Sequence, residues 1–232
     1  MTQRALRVAI DGPGSSGKSS VGMTAAAELG YRYVDTGLLY RAVTWLALRR
    51  GVRLDDGPAV AALVPEVGLA ADDEGRLSRV RVAGRDITRW VHGATVDRSV
   101  SEAARQPEVR DALVGVQRHL AAAGEIVLVG RDIGTVVLPD AEVKVYLDAS
   151  VSERARRRAL ERGLDVDGPQ AAEIRADLER RDAADAGRAV APLRPASDAI
   201  TLHTDGMAFG AVVDRVVDLV RTRAGATSGT PR

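Results

Sequence analysis

Residues 6–19 read Leu6-Arg7-Val8-Ala9-Ile10-Asp11-Gly12-Pro13-Gly14-Ser15-Ser16-Gly17-Lys18-Ser19, and this stretch decides the fold. Leu6 to Ile10 is a short apolar run closed by Asp11 and a glycine-rich turn, the pattern of a buried strand. Gly12 to Ser19 then matches G-x-x-x-x-G-K-[ST], and Ser19 to Leu29 has helical composition and stops at Gly30. In a strand–loop–helix setting, glycines let successive backbone N–H groups turn inward around phosphate oxygens, and the helix points its positive end at them. Lys18 is then placed to bridge β- and γ-phosphates, and the Ser19 hydroxyl to ligate Mg²⁺. The candidate nucleotide-binding set is Gly12, Pro13, Gly14, Ser15, Ser16, Gly17, Lys18, Ser19 and Ser20, with Ser19 as the metal ligand.

Outward from this loop the rhythm of strand and helix continues. Tyr31 to Val34 reads as a second strand and Leu38 to Arg50 as a second helix ending at Gly51. Glu125 to Val129, Val143 to Leu147 and Ala199 to His203 supply three more strands, which predicts an α/β P-loop fold: a parallel five-stranded sheet with helices on both faces. Residues 63–100 interrupt the pattern. Arg79 to Val82 alternates, Ala83-Gly84 can turn, and Arg85 to Trp90 offers a second short strand, so a small substrate-binding insert is expected there. Residues 151–189 form an Arg-rich helical lid broken near Gly163 to Pro169. The chain thus reads as a single domain with a core of about 6–62, 101–150 and 190–222, and residues 224–232 read as a disordered tail.

Composition sets the bounds. The 232 residues are 45% apolar and 28% charged, the balance of a soluble globule, and a formal net charge of +1 offers no global field for nucleic acid or an anionic membrane. Lys18 and Lys144 are the only lysines, so Lys18 marks a place where a compact ammonium is kept in an Arg-dominated chain. There is no cysteine, which excludes disulfides, thiolate zinc sites and a Cys nucleophile. Met1 to Arg7 carries charges and leads straight into the first strand, so neither a leader nor a membrane span is expected, and the location is read as cytoplasmic.

Two further clusters fall at strand ends, where ligands of open α/β sheets bind. Asp35-Thr36-Gly37-Leu38-Leu39-Tyr40-Arg41 opens the second helix, with Thr36 able to cap it and Arg41 able to reach an anion. Gly130-Arg131-Asp132-Ile133-Gly134-Thr135 follows the third strand of the core. An Asn-Lys-x-Asp guanine-reading element is absent, because Lys144 is the only lysine after the loop and Val143 precedes it. With the phosphate loop, Asp35-Thr36-Gly37, Tyr40-Arg41, Gly130 to Val137, and Arg181-Asp182 through Asp185 to Arg188-Ala189-Val190-Ala191-Pro192-Leu193, the chain resembles the bacterial cytidylate kinases over roughly residues 6–220.

That resemblance implies ATP as phosphoryl donor, CMP or dCMP as acceptor and Mg²⁺; the net charge of +1 argues against nucleic-acid and membrane partners, and a compact chain of this size that engages small-molecule nucleotides is expected to be a monomer. It implies that Arg41 and Arg131 grip the acceptor phosphate and that Ser101, Arg110 and Asp132 surround the cytosine. Arg188 is implied near base and phosphate, Arg181 and Asp185 near the ribose, and Thr36, where some members carry Ser, is implied as a substrate-binding hydroxyl able to donate to a phosphate. The chemistry agrees: cytosine sets an exocyclic amine beside ring acceptors, so a carboxylate or hydroxyl plus an Arg is complementary, whereas uracil leaves buried polar atoms unpaired.

The lid carries Arg154, Arg156, Arg157, Arg158 and Arg162 before its break and Arg175, Arg180, Arg181 and Arg188 after it. Interleaved acids make a solvated, salt-bridged helix the plain reading of any one of them; as a group they fit a lid that closes over phosphates. Lys18, Arg131, Arg158 and Arg188 form the expected catalytic set. No general base is required, since a nucleotide phosphate with a second pKa near ~6 is already largely dianionic at neutral pH. Asp35 or Asp132 could order magnesium waters, and His92, His119 and His203 share no pattern. Competing readings are a P-loop kinase for UMP, shikimate or pantothenate, and a non-catalytic nucleotide-binding module.

Overall fold

The computed structural model describes residues 5–188 and 190–228. Strand β1 (Arg7–Asp11) feeds the phosphate loop and helix α1 (Lys18–Leu29); β2 (Arg32–Asp35) and α2 (Gly37–Arg50) follow. Both helices end where expected, on Gly30 and Gly51 in the left-handed region at φ 70° and 67°, where a side chain would be strained. β6 (Ile126–Gly130), β7 (Val143–Asp148) and β8 (Ile200–His203) complete a five-stranded sheet in the order β2-β6-β1-β7-β8, every neighbouring pair parallel. The order has a cause in the residues. All five residues of β6 are buried and four of five in β1, so they take central places, while β8 is largely exposed and sits at the edge.

Successive side chains of the inner strands feed two different cores, as the pleat requires. Val8, Ile10, Val127, Val129 and Val145 pack with Val21 and Ala25 of α1 and with Val212, Val216 and Val220 of α8 (Phe209–Ser228). Ala9, Val34, Ile126 and Leu128 face the other way, toward Ala121 of α5 (Pro107–Ala121) and Ile133 and Val137 of a π-helical turn (Ile133–Val137). Helix α1 lies so close to β6 that a Cβ on Gly22 would meet Val129 Cγ1 at 2.5 Å. We expect Gly22→Ala to cost about 1–3 kcal/mol through overpacking, read as a lower urea midpoint with unchanged m-value.

The remaining elements are α3 (Gly57–Ala61), a 3₁₀ turn (Val64–Glu66), β3 (Val67–Ala70), β4 (Arg79–Val82), β5 (Arg85–Asp86) and α4 (Ala94–Ala103). Strands β3-β4-β5 form an antiparallel sheet whose Val80 and Val82 join Leu39, Val43, Leu46, Val60, Val100 and Leu113 in a separate core. Three expectations change here. β3 was not anticipated. The strand read from Arg85 to Trp90 stops at Asp86, because Asp86 Oδ1 accepts from both Thr88 N (2.8 Å) and Thr88 Oγ1 (2.7 Å) and turns the chain. The insert boundary at residue 100 falls inside α4.

The Arg-rich stretch forms α6 (Val151–Glu161) and α7 (Pro169–Ala186), which share a small core of Ala155, Ala159, Ala171, Ile174 and Leu178. The expected tail does not begin at Ala224: α8 carries on to Ser228, and Ala224 extends the apolar stripe of Val216 and Val220 and is itself buried. Residues 229–232, and Ala189 of the quoted motif, lie outside the described residues. Among the described residues no helix is long and apolar enough to cross a membrane.

Candidate active site

The loop of residues 12–17 leaves β1 at the centre of the sheet, and segments 35–37 and 130–132 leave β2 and β6 on one side of it. All three meet at the carboxyl ends of the strands. Ser15 (φ 60°) and Gly17 (φ 90°) occupy the left-handed region, which turns the loop's N–H groups toward one concavity. At Gly12 a Cβ would lie 2.2 Å from the Leu147 carbonyl oxygen of β7, so no side chain fits between loop and sheet.

The outer side of the loop is braced by the lid. Arg154, almost fully buried, donates to Gly14 O (3.1 Å), Ala149 O (2.9 Å) and Asp182 Oδ2 (2.6 Å). Arg157 donates to Ser16 O (3.4 Å), Thr204 Oγ1 (3.0 Å) and Thr204 O (2.7 Å). With carbonyls of Gly14 and Ser16 turned outward onto guanidiniums, the N–H face is left for phosphate. Ser16 Oγ is buried with no hydrogen-bond partner among the described residues, while Ser20 is exposed on the first turn of α1.

Lys18 is buried and its Nζ donates to Pro13 O at 3.0 Å across the loop. Burial holds its pKa well below the lysine range; the Arg131 guanidinium pushes the same way, and Asp35 opposes. Ser19 Oγ donates to Asp35 Oδ2 at 2.7 Å, and Asp35 Oδ1 accepts from Gly37 N at 2.9 Å. The carboxylate therefore does the helix-start work expected of Thr36. The Thr36 hydroxyl instead donates to Val129 O at 2.9 Å, buried between α2 and β6, which corrects its reading as the cap of α2.

Asp11, the last residue of β1, accepts from Ile133 N and Gly134 N at 2.8 Å each and anchors the π-helical turn. Burial outweighs these two N–H groups and pushes its pKa up to about 6. A carboxyl raised from 3.8 binds its proton more tightly when folded, so its contribution of about 3 kcal/mol is present below pH ~4 and lost as pH rises through 6. Carboxyl-carbon NMR should give a titration midpoint near 6 for Asp11; a midpoint near 4 would refute this.

On the acceptor side, Asp185 of α7 binds two arginines: Arg131 Nε donates to its Oδ2 at 3.0 Å, and Arg188 Nη2 donates to its Oδ1 at close range. Asp132 binds Arg110 of α5, both buried, and Arg110 also donates to Ala104 O at 3.1 Å and lies 5.6 Å from the Tyr40 ring centroid. Tyr40 OH, Gln117 Nε2, Arg110 Nε and Arg188 Nε are buried without hydrogen-bond partners among the described residues. Ser101 is half-buried on α4, and no hydrogen bond joins its hydroxyl to Arg110 or Asp132.

Arg181 Nε also lacks a partner, and its pKa is lowered by burial and then by Arg131 and Arg41, against Asp185 and Asp97. Lys18, Arg41, Arg131 and Arg181 thus influence one another electrostatically, with Asp35, Asp97 and Asp185 among the carboxylates that oppose them. Arg41 donates to Val91 O (2.9 Å) and lies 2.7 Å from Asp97 Oδ1. Arg158 is paired with Glu161 at 3.1 Å and faces Asp97 at 3.9 Å rather than the phosphate loop.

Sequence reasoning missed the bracing by Arg154 and Arg157, the anchoring by Asp11, the buried Gln117 and Asp97. Only Arg157, four residues after Glu153, carried a local signal, and that signal pointed to a surface pair.

Comparison with known proteins places the chain among relatives. The family model "Cytidylate kinase" matches residues 8–222. The cytidylate kinase of Geobacillus sp. (strain WCH70) is 44% identical over 225 residues, covering 95% of this chain and 98% of that protein. The cytidylate kinase of Nocardia farcinica is 44% identical over 216 residues, covering 93% of each chain. A gluconokinase crystal structure from Sinorhizobium meliloti superposes with a TM-score of 0.52 over 99% of this chain at 14% identity, a likeness of fold alone. With a family match across nearly the whole sheet, loop and lid, the chain belongs to the cytidylate kinase family.

Proposed function

We infer that the protein transfers the γ-phosphoryl group of ATP to CMP or dCMP, giving ADP and CDP or dCDP. Family membership supports the reaction, and the observation that carries it to this site is the convergence of Lys18, Arg41, Arg131 and Arg181 at the ends of β1, β2 and β6. Such an array suits two polyanions brought together. An acceptor phosphate oxygen forms the new P–O bond as the bond from γ-phosphorus to the β,γ-bridging oxygen breaks, and the electron pair leaves with ADP. The acceptor is largely dianionic at neutral pH, so no side chain has to remove a proton. What the protein supplies is alignment, charge stabilisation and exclusion of water.

The loop amides and Lys18 hold the donor phosphates. Arg131, positioned by Asp185, and Arg41 orient the acceptor phosphate, and Arg188 approaches from the same carboxylate. Arg110 and Asp132 face the base and read the cytosine amine and ring acceptors, with residues of the insert closing that pocket and α6–α7 acting as the lid. For Mg²⁺, the Ser19 hydroxyl and the Asp35 carboxylate are hard oxygen donors that fit the ion, and Asp132 is engaged by Arg110 instead. The ion would supply neutralisation between β- and γ-phosphate oxygens. The protein acts in the cytoplasm as a monomer.

The test is ADP release from MgATP with CMP, dCMP, UMP, AMP, GMP, dTMP and shikimate in parallel. Fast turnover with CMP and dCMP and slower turnover with UMP is the expected result. Preference for another acceptor would overturn the base-reading roles of Arg110 and Asp132 while leaving the donor site intact.

A further inference from the structure

Asp97 is a carboxylate at the edge of the cation cluster that no role above absorbs. It projects from α4 with its side chain only 17% exposed, and guanidiniums from two other elements and from the end of α6 approach it. Oδ1 lies 2.7 Å from Nη1 of Arg41 on α2. Oδ2 lies 3.9 Å from Nη2 of Arg158 on α6 and 3.7 Å from Nη2 of Arg162, which closes that helix. Arg162 has no other ion-pair partner among the described residues, whereas Arg158 is shared with Glu161.

The arrangement divides one carboxylate between Arg41 on the acceptor side and the arginines at the end of α6. Nη1 of Arg41 donates to the Val91 carbonyl at 2.9 Å and meets the first Asp97 oxygen as an ion pair, that buried oxygen accepting no hydrogen bond among the described residues, which leaves Nε and Nη2 of Arg41 for an anion. The second Asp97 oxygen faces the lid alone. The Arg41 contact is well shielded from water, while the lid contacts are longer and more exposed, so they are weak enough to be made and broken. The neighbours do not compete for this role. His92 is exposed and makes no ion pair with Asp97, and Asp35 is engaged by Ser19 and Gly37 N. Asp185, the other carboxylate near Arg181, is occupied by Arg131 and Arg188.

We propose that Asp97 is a positioning residue that couples the lid to the acceptor-phosphate grip, fixing Arg41 on one side while drawing Arg158 and Arg162 toward it on the other. This rests on the phosphoryl-transfer reading above, in which Arg41 meets the acceptor phosphate. Donor binding that brings the lid down then strengthens the hold on the acceptor, and acceptor binding strengthens the hold on the donor by the same factor, as linkage requires.

Calorimetric titration of CMP with and without a non-hydrolysable ATP analogue measures that factor directly. In the unmodified protein the analogue should tighten CMP binding about tenfold. In Asp97→Asn, which keeps the shape and removes the charge, the factor should fall below about twofold. In the same variant KM for CMP should rise about tenfold and KM for ATP should change little. If Asp97→Asn does not fold, the double substitution Arg158→Gln with Arg162→Gln, at one half-buried and one exposed position, should abolish the same factor. An unchanged factor in either variant, or no synergy in the unmodified protein, overturns the proposal. If CMP itself does not bind but another monophosphate does, the acceptor assignment fails instead, and the same cycle run with that monophosphate decides the role of Asp97.

Discussion

Lys18→Met is expected to lower kcat about 10³-fold, the scale seen when a preorganised charge aimed at a transferring phosphoryl group is removed. The same variant should fold normally and be as stable as the parent or more so. The reason lies in how Lys18 is held. Its ammonium is buried, its single hydrogen bond goes to the neutral Pro13 carbonyl, and Arg131 and Arg181 are the nearest cations. Burial without a matched anion is costly, and a methionine of similar length relieves it. Activity and stability should therefore move in opposite directions, measured as single-turnover rate and urea midpoint on one preparation. A clear fall in stability would mean that Lys18 holds the loop together, and the transition-state role would lose its support.

Asp132→Asn carries the second large effect. Asp132 faces Arg110 with both side chains almost wholly buried, so the substitution leaves a buried guanidinium without its counter-charge. Breaking such a pair from one side costs about 3–5 kcal/mol. The functional effect is more specific. A carboxylate can only accept, which suits an exocyclic amine; an asparagine can present a donor and suits a carbonyl as well. We expect kcat/KM for CMP to fall about 10²-fold while that for UMP changes less than about tenfold, so that the preference narrows. Equal losses for the two acceptors would show that Asp132 merely holds Arg110 in place.

How much of this was legible in the chain follows from the range of the interactions. The strand, loop and first helix were readable because Gly12, Gly17, Lys18 and the apolar run before them lie within 13 residues and answer to local rules. β3 was not, because Val67-Gly68-Leu69-Ala70 shows no alternation and pairs only with a strand a dozen residues further on. Thr36 misled for the same reason: its hydroxyl partner, Val129, is 93 residues away. The clusters Arg131-Asp132 and Arg181 to Arg188 were recognised as motifs, but the partition of their ion pairs, Arg110 with Asp132 and Arg131 with Asp185, needs the folded chain. Asp97 announced nothing at all, since its partners come from α2 and from the end of α6.

The bracing of the phosphate loop by Arg154 and Arg157 has a bearing on modularity. Leu178 Cδ2 also comes within 3.4 Å of the position a Gly14 Cβ would take, so α6 and α7 together form the back wall of the loop. The lid is therefore not a detachable part. A chimera that replaced residues 151–186 with the corresponding helices of another kinase would inherit a loop whose outward carbonyls had lost their donors. The natural unit of exchange is larger: both helices, the loop from Gly12 to Gly17, and Thr204, which ties Arg157 to the far edge of the sheet.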